Sequence, residues 1–278
     1  MAGDLDFDLS GLGLRLRGMP EGLGSRLAAH WARFRVERCV ETFLDAEVSI
    51  GGAPMAPAET VSREMSAREG PFGATFEVPE GTLELIRSEA RVRLAPGDEG
   101  RQYWGLVNLL AIAFGWLLPA AGGATIHAAG IVLDGRAFLL LGAEGEGKTT
   151  WAALAEEGGA SVLSDDIVVV DASSVPVTAR SAPFRADDFR PAGPGRWPVA
   201  AILVPRHGDE AALSPLARLP LAARLTGSLF SAATSRAAEA RRAAVVERLL
   251  EAVPARTLTF PKDPSFLPLL RSFPSRRA

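Results

Sequence analysis

The chain is poor in the residues that form disulfides and metal clusters. Its 278 residues include a single cysteine, Cys39, and only three histidines. One cysteine cannot form an intramolecular disulfide, and this set of residues cannot build a Cys/His metal cluster. We expect Cys39 to be a buried, unreactive thiol.

The chain also lacks a basic excess, and lysine is nearly absent. The formal net charge is −3, so there is no electrostatic case for binding nucleic acid. Only two of the 30 Lys and Arg residues are lysines. One of them, Lys148, lies in a glycine-rich stretch, where a compact ammonium group fits against phosphates in a way that a guanidinium does not.

Long hydrophobic runs are almost missing, and the one apolar stretch, residues 105–126, is interrupted. It contains Asn108, Pro119 and the Gly122-Gly123 pair. The pattern therefore predicts a buried helix over about residues 103–118 rather than a membrane span. The N-terminus is acidic and has no apolar core of a secretory signal, so we expect a cytoplasmic protein with no membrane partner.

The pattern of strands and helices divides the chain into two regions. Residues 1–118 carry short alternating stretches and many turn signals, which predict a small β-rich N-terminal region with helices. In residues 119–278 strands alternate with helices, which is typical of an α/β catalytic domain. Asp134-Gly135 predicts a hairpin turn, and helical periodicity predicts a helix over 234–253.

The most specific motif is Gly142-Ala-Glu-Gly-Glu-Gly-Lys148-Thr149, which fits G-x-x-x-x-G-K-[ST] without a mismatch. An apolar strand precedes the motif and a helix follows it. The glycines let successive N–H groups face a phosphate, and the helix N-terminus adds partial positive charge. Lys148 would reach the β- and γ-phosphates, and the Thr149 hydroxyl would bind Mg²⁺. We therefore predict ATP and Mg²⁺ as ligands and assign nucleotide binding to Gly142, Glu144, Gly145, Glu146, Gly147, Lys148, Thr149 and Thr150.

Two adjacent acids, Asp165 and Asp166, follow the next apolar strand. One carboxylate there can hold Mg²⁺ directly or through water, and the other can accept a proton from a hydroxyl. A plain NTPase needs one acid for the metal and a means of positioning water. The pair therefore favours a kinase, whose nucleophile must be deprotonated, although Asp166 could also serve only as a turn residue.

Three runs together resemble a known family. They are Ile126-His127-Ala-Ala-Gly, the glycine-rich loop, and Leu163-Ser164-Asp165-Asp166. They look like the catalytic domain of HPr kinase/phosphorylase, and more closely like its short relatives, which include lasso-peptide precursor kinases. ATP-dependent phosphoenolpyruvate carboxykinase is a more distant relative. The resemblance covers residues 125–171 well and 265–270 weakly, and it implies a P-loop core of the HPr-kinase/PEP-carboxykinase type.

The resemblance implies transfer of phosphate to a serine or threonine hydroxyl of a peptide or small protein. His127 matches the family's active-site histidine, which interacts with the acid pair, so the implied catalytic set is His127, Lys148, Asp165 and Asp166. The two acids match the pair that supplies the general base and a metal contact. Neither role is fixed by sequence; we favour Asp165 as the base and Asp166, with Thr149, at the metal.

The family pattern is incomplete here. The run of the Glu-Ile-Arg-Gly-Leu-Gly type that follows the acid pair in the bifunctional enzyme is absent, so phosphorylase activity is not implied. Arg180, Arg185 and Arg190 are candidates to steady the transferring phosphoryl group, or are only solvated charges. Relatives are often oligomers, so a homo-oligomer is also considered, although the sequence indicates no interface.

Two other functions share these motifs. A kinase for a small hydroxylated metabolite would use every catalytic part named above, and only its acceptor surface would differ. A nucleotide-binding regulatory module with little turnover is the third alternative. The intact Lys148, Thr149 and acid pair argue against that module.

Overall fold

The computed structural model describes residues 3–55, 65–70, 72–184, 192–230 and 235–274. This part of the chain is mixed α/β, with two mixed sheets and six α-helices. It forms two compact units, which contain the described residues 3–117 with 235–239 and 118–230 with 240–274. The domain boundary predicted after residue 118 lies next to this division, and the assignment of residues 119–278 as a catalytic domain stays a prediction.

The first unit contains an eight-stranded sheet and two α-helices. The strand order is β3-β1-β2-β4-β8-β7-β6-β5. The strands are β1 (Leu5–Asp8), β2 (Gly13–Arg17), β3 (Arg35–Val36), β4 (Thr42–Ile50), β5 (Ser66–Glu69), β6 (Gly73–Val78), β7 (Gly81–Ile86) and β8 (Glu89–Leu94), and the helices are α1 (Glu21–His30) and α2 (Glu99–Leu117). The β-rich character predicted for this region is confirmed.

Strand β8 shows why this sheet has one buried face and one open face. Ala90, Val92 and Leu94 are buried, whereas the alternate residues Arg91 and Arg93 are exposed. Successive side chains of a strand point to opposite faces, so alternation of apolar and charged residues directs one face to a core and one to solvent.

Helix α2 contains most of the apolar segment whose length is close to that of a membrane span. Of the residues the structure describes, one stretch, Glu99–Ala121, is long and apolar enough to cross a membrane, and 61% of its most apolar part is buried inside the protein. The core helix of a soluble protein meets the same criteria. The helix begins at Glu99, four residues earlier than predicted, and ends at Leu117 as expected within one residue.

The second unit contains the nine-stranded sheet, whose main strand order is β12-β10-β11-β15-β14-β13-β9; β17 also pairs with β15 and with β16. Its strands are β9 (Gly123–His127), β10 (Ala129–Leu133), β11 (Arg136–Leu140), β12 (Ser161–Ser164), β13 (Ile167–Asp171), β14 (Thr178–Arg180), β15 (Arg196–His207), β16 (Ala212–Pro215) and β17 (Ala255–Phe260). Its helices are α3 (Lys148–Glu157), α4 (Arg218–Ser228) and α6 (Leu267–Arg271), and α5 (Arg236–Ala252) lies mostly within it.

The predicted hairpin at Asp134-Gly135 is confirmed. Leu133 pairs with Arg136 across the turn, and both turn residues have positive φ, 51° and 74°. This is the backbone that a tight two-residue hairpin requires, and Asp-Gly adopts it readily.

Both faces of the nine-stranded sheet are covered, and β11 shows how. Ala137 and Leu139 belong to a core that includes residues of α4 and α5. Phe138 and Leu140 belong to a second core that includes residues of α3 and α6. A strand buried on both faces reads as a continuous apolar run, as β11 does, and its end delivers the chain to the glycine-rich loop.

Candidate active site

The glycine-rich loop joins the end of β11 to the start of α3. The first helical turn closes with Trp151 N–H donating to the carbonyl of Gly147 at 2.8 Å. Gly145 and Gly147 have φ of 80° and 91°, in the left-handed region that favours glycine. These two glycines let the chain turn tightly into the N-terminus of α3, as a loop that binds an anion through its amides requires.

The end of β15 lies beside this loop because β15 runs parallel to β11. A β-carbon built on Gly142 would come 3.2 Å from Pro205 Cγ, and one on Gly147 would come 3.9 Å from His207 Cε1. His207 carries no motif in the sequence, and only the order of the strands brings it to the loop.

Lys148 is the first residue of α3, and it is 8% exposed. Its Nζ donates to the carbonyls of Gly142 at 2.8 Å and Ala143 at 3.1 Å. The loop therefore holds the ammonium group at its own centre, where a phosphate-binding lysine is required.

Thr149 connects the loop to the acid pair. Its Oγ1 donates to Asp165 Oδ2 at 3.1 Å. Two further residues that were assigned to nucleotide binding, Glu144 and Thr150, are exposed, on the loop and on α3 respectively. Asp165 is thus the acid that lies beside the hydroxyl expected to bind Mg²⁺.

The acid pair lies between β12 and β13, opposite the connection from β9 to β10. His127 pairs with Ile167 and Gly130 pairs with Ser164, in one antiparallel register. Between these pairs, Ala128 N–H donates to the backbone carbonyl of Asp166 at 2.9 Å. The junction of β9 with β10 therefore lies opposite the junction of β12 with β13, and it brings His127 to the acids.

Ser164 shapes the acid junction. It is buried, and its Oγ accepts the N–H groups of Asp166 at 3.1 Å and Ile167 at 3.0 Å. Such a serine turn offers the backbone an alternative to the strand ladder. Ser164 was part of the motif but was given no role, although a serine directly before two acids is a usable turn signal.

His127 and Asp166 contact each other directly. His127 Nδ1 lies 2.6 Å from Asp166 Oδ1, and the two side chains are 41% and 17% exposed. The two acids therefore have different partners: Asp165 faces Thr149 of the loop, and Asp166 faces His127. Thr149 thus contacts Asp165, and His127 contacts Asp166, the next residue along the chain.

Glu146 of the loop is bound by an arginine from outside the motif. Arg224 of α4 donates to the Glu146 carboxylate through Nη1 at 2.7 Å and Nη2 at 3.4 Å. Glu146 also accepts the N–H of Ala143 at 2.8 Å. The hydrogen bond from Arg224 and that from Ala143 hold the pKa of Glu146 below its ordinary value. Sequence reasoning missed Arg224, because nothing links α4 to a loop 78 residues earlier.

The three arginines proposed to steady a phosphoryl group have different outcomes. Arg180 forms a mostly buried ion pair with Asp171 and pairs with Val169 of β13, roughly 10 Å along the strand from Asp166. This position favours a structural role for Arg180. Arg185 and Arg190 lie outside the described residues.

The donor set fits Mg²⁺ bound together with a nucleotide. Within the described ranges, no group of three or more His, Cys, Asp or Glu side chains could hold a metal ion. Thr149 and Asp165 instead offer two hard oxygen ligands beside Lys148 and the loop amides. Mg²⁺ commonly takes one or two protein oxygens and completes its shell with phosphates and water, so this sparse set suits a Mg²⁺–nucleotide complex.

The chain matches no protein-family model and no curated protein at a significant level.

Proposed function

We propose that the protein is an ATP- and Mg²⁺-dependent kinase that transfers the γ-phosphate to a serine or threonine hydroxyl of a peptide or small protein. The observation that carries this proposal is a pair of contacts at adjacent aspartates: Asp165 with Thr149, the residue after Lys148, and Asp166 with His127. It joins a phosphate-binding loop to an acid and a histidine that the loop does not need for binding nucleotide.

Each part has a role in the proposed reaction. The loop amides and Lys148 would hold the phosphates, and Thr149 with Asp165 would hold Mg²⁺, which neutralises charge on the phosphates. Asp166, oriented by His127, accepts the proton of the acceptor hydroxyl as that oxygen bonds to the γ-phosphorus and ADP leaves. The geometry favours this assignment over the one preferred from sequence, in which Asp165 was the base and Asp166 the metal contact.

We also propose that the second unit is a P-loop core of the HPr-kinase/PEP-carboxykinase type, and that the protein is related to the short HPr kinase-like proteins. The motif order supports this: His127 first, then the loop, then the acid pair. The contact between His127 and Asp166 is the one that the resemblance implies for this family.

The proposal is tested by following phosphate labelled at the γ-position of ATP. The protein, Mg²⁺ and a mixture of dephosphorylated peptides would be incubated, and the label would be separated into peptide, metabolite and inorganic phosphate. Label in peptide, absent with Lys148→Ala, supports the proposal. Label in metabolites of an added extract supports the small-molecule kinase, and tight binding without transfer supports the regulatory module.

A further inference from the structure

The glycine-rich loop is closed by its own side chains in this structure. The Glu146 carboxylate accepts the N–H of Ala143 at 2.8 Å, while Lys148 Nζ donates to the carbonyls of Gly142 and Ala143. Amides and a lysine of such a loop are the donors that bind nucleotide phosphates. Glu146 therefore makes a contact of the kind that a phosphate oxygen makes.

Arg224 holds this carboxylate from a separate element, α4. Its two contacts with Glu146, at 2.7 and 3.4 Å, are of the forked type in which a guanidinium binds two oxygens at once. Carboxylate and phosphate present similar pairs of oxygens to a guanidinium, so an arginine that binds one can bind the other. The side chains are 38% and 36% exposed, so an incoming ligand can reach both.

We propose that Arg224 is a nucleotide phosphate-binding residue. Glu146, to which the sequence assigned nucleotide binding, is instead a carboxylate placeholder, which the nucleotide displaces from both Ala143 N–H and Arg224. This inference rests on the nucleotide-binding part of the proposed function. Glu146 left in place would put a negative charge beside the phosphates, where like charges repel. Exchange of Glu146 for phosphate removes that repulsion and leaves Arg224 paired with an anion.

Two substitutions that break the same ion pair test the proposal, because it predicts opposite effects. Binding of a non-hydrolysable ATP analogue with Mg²⁺ would be measured by calorimetry. Arg224→Ala should weaken binding roughly tenfold through loss of a charge-assisted hydrogen bond. Glu146→Gln should strengthen binding several-fold, since the competing charge is gone and the side chain is of similar size.

Arg218→Ala is the matched control. Arg218 lies on the same helix, and its Nη1 donates to the carbonyl of Leu250 at 3.4 Å, away from the loop. We expect its affinity for the analogue to equal that of the wild type. Thermal melting without nucleotide would show that each variant is folded.

A loop that is merely braced by the ion pair gives a different result. Both Arg224→Ala and Glu146→Gln would then weaken binding, and that outcome would overturn the proposal, as would unchanged affinity in Arg224→Ala. If the wild type itself bound no analogue, the proposed function would fail together with this inference. If the wild type bound the analogue and transferred phosphate, but both variants bound the analogue more weakly than the wild type, only the inference would fail.

Discussion

The different contacts of Asp165 and Asp166 predict that substitution of each aspartate impairs a different step of the reaction. The perturbations are Asp165→Asn and Asp166→Asn, which remove a charge and keep the side-chain size. Asparagine at 165 can still accept a hydrogen bond from the Thr149 hydroxyl, which lies 3.1 Å from Asp165 Oδ2 in the wild type. Asparagine at 166 cannot accept the proton of an acceptor hydroxyl.

The expected magnitudes follow from these roles. Loss of a positioned general base lowers the rate by about 10²- to 10⁴-fold, so Asp166→Asn should lower kcat by that amount with little change in nucleotide affinity. Asp165→Asn should instead raise the Mg²⁺ concentration for half-maximal activity by about 10- to 100-fold. Each acid contacts a solvent-exposed partner, Thr149 or His127. Such a contact is worth about 1 kcal/mol or less, so the melting temperature should change by less than about 4 °C.

The assay is the initial rate of phosphate transfer measured against Mg²⁺ concentration, with thermal melting as the check on folding. High Mg²⁺ should restore much of the rate of Asp165→Asn and none of that of Asp166→Asn. The reverse pattern would refute the geometric assignment and support the one preferred from sequence. Near-complete activity in both variants would refute a role for the acid pair in transfer.

Three further predictions concern the loop and its support. Lys148→Ala should abolish measurable nucleotide binding in calorimetry, and unchanged affinity would contradict this prediction. The variant should remain folded, because the described contacts of Lys148 Nζ are only with loop carbonyls. Gly147→Ala should lower stability by about 1–2 kcal/mol, because φ is 91°, whereas Gly193→Ala, where a β-carbon meets open space, should change stability little in the same melting experiment. Burial raises the pKa of Asp171, but hydrogen bonds from Ser173 and Arg180 outweigh it, so the pKa lies below its ordinary 3.8. A carboxylate with a lowered pKa stabilises the fold at pH values above its ordinary pKa, and this stabilisation is lost as the pH falls through the pKa of the folded state. In melting experiments from pH 7 to 3, Asp171→Asn should therefore be less stable than wild type at pH 7, and the difference should shrink below about pH 3.8. A stability difference that did not change with pH would contradict the ion pair.

The parts of the site that the sequence could predict are those set by local chemistry. The loop motif, with its strand before and helix after, depends on glycine geometry and on the position of Lys148, both visible within a few residues. The turn at Asp134-Gly135 is local in the same sense. The contact of His127 with an acid was expected only from the resemblance, since a lone histidine in an apolar strand specifies no partner.

The remaining contacts depend on how the strands and helices are ordered in space. Arg224 contacts Glu146 because α4 packs on one face of the nine-stranded sheet. His207 lies near Gly147 because β15 lies beside β11. Neither the packing of α4 on the sheet nor the position of β15 beside β11 can be predicted from the periodicity of the sequence. Arg180 could not be decided from the sequence, which allowed either a contact with the phosphoryl group or a solvated charge; in the structure its side chain pairs with Asp171.

The most direct test of the central claim is mass spectrometry of a peptide mixture after incubation with the protein, ATP and Mg²⁺. The account predicts peptides that gain one phosphate group, located by fragmentation on serine or threonine, with wild type and not with Lys148→Ala. ATP bound by the wild type without any phosphate gained by a peptide would contradict transfer to a peptide hydroxyl.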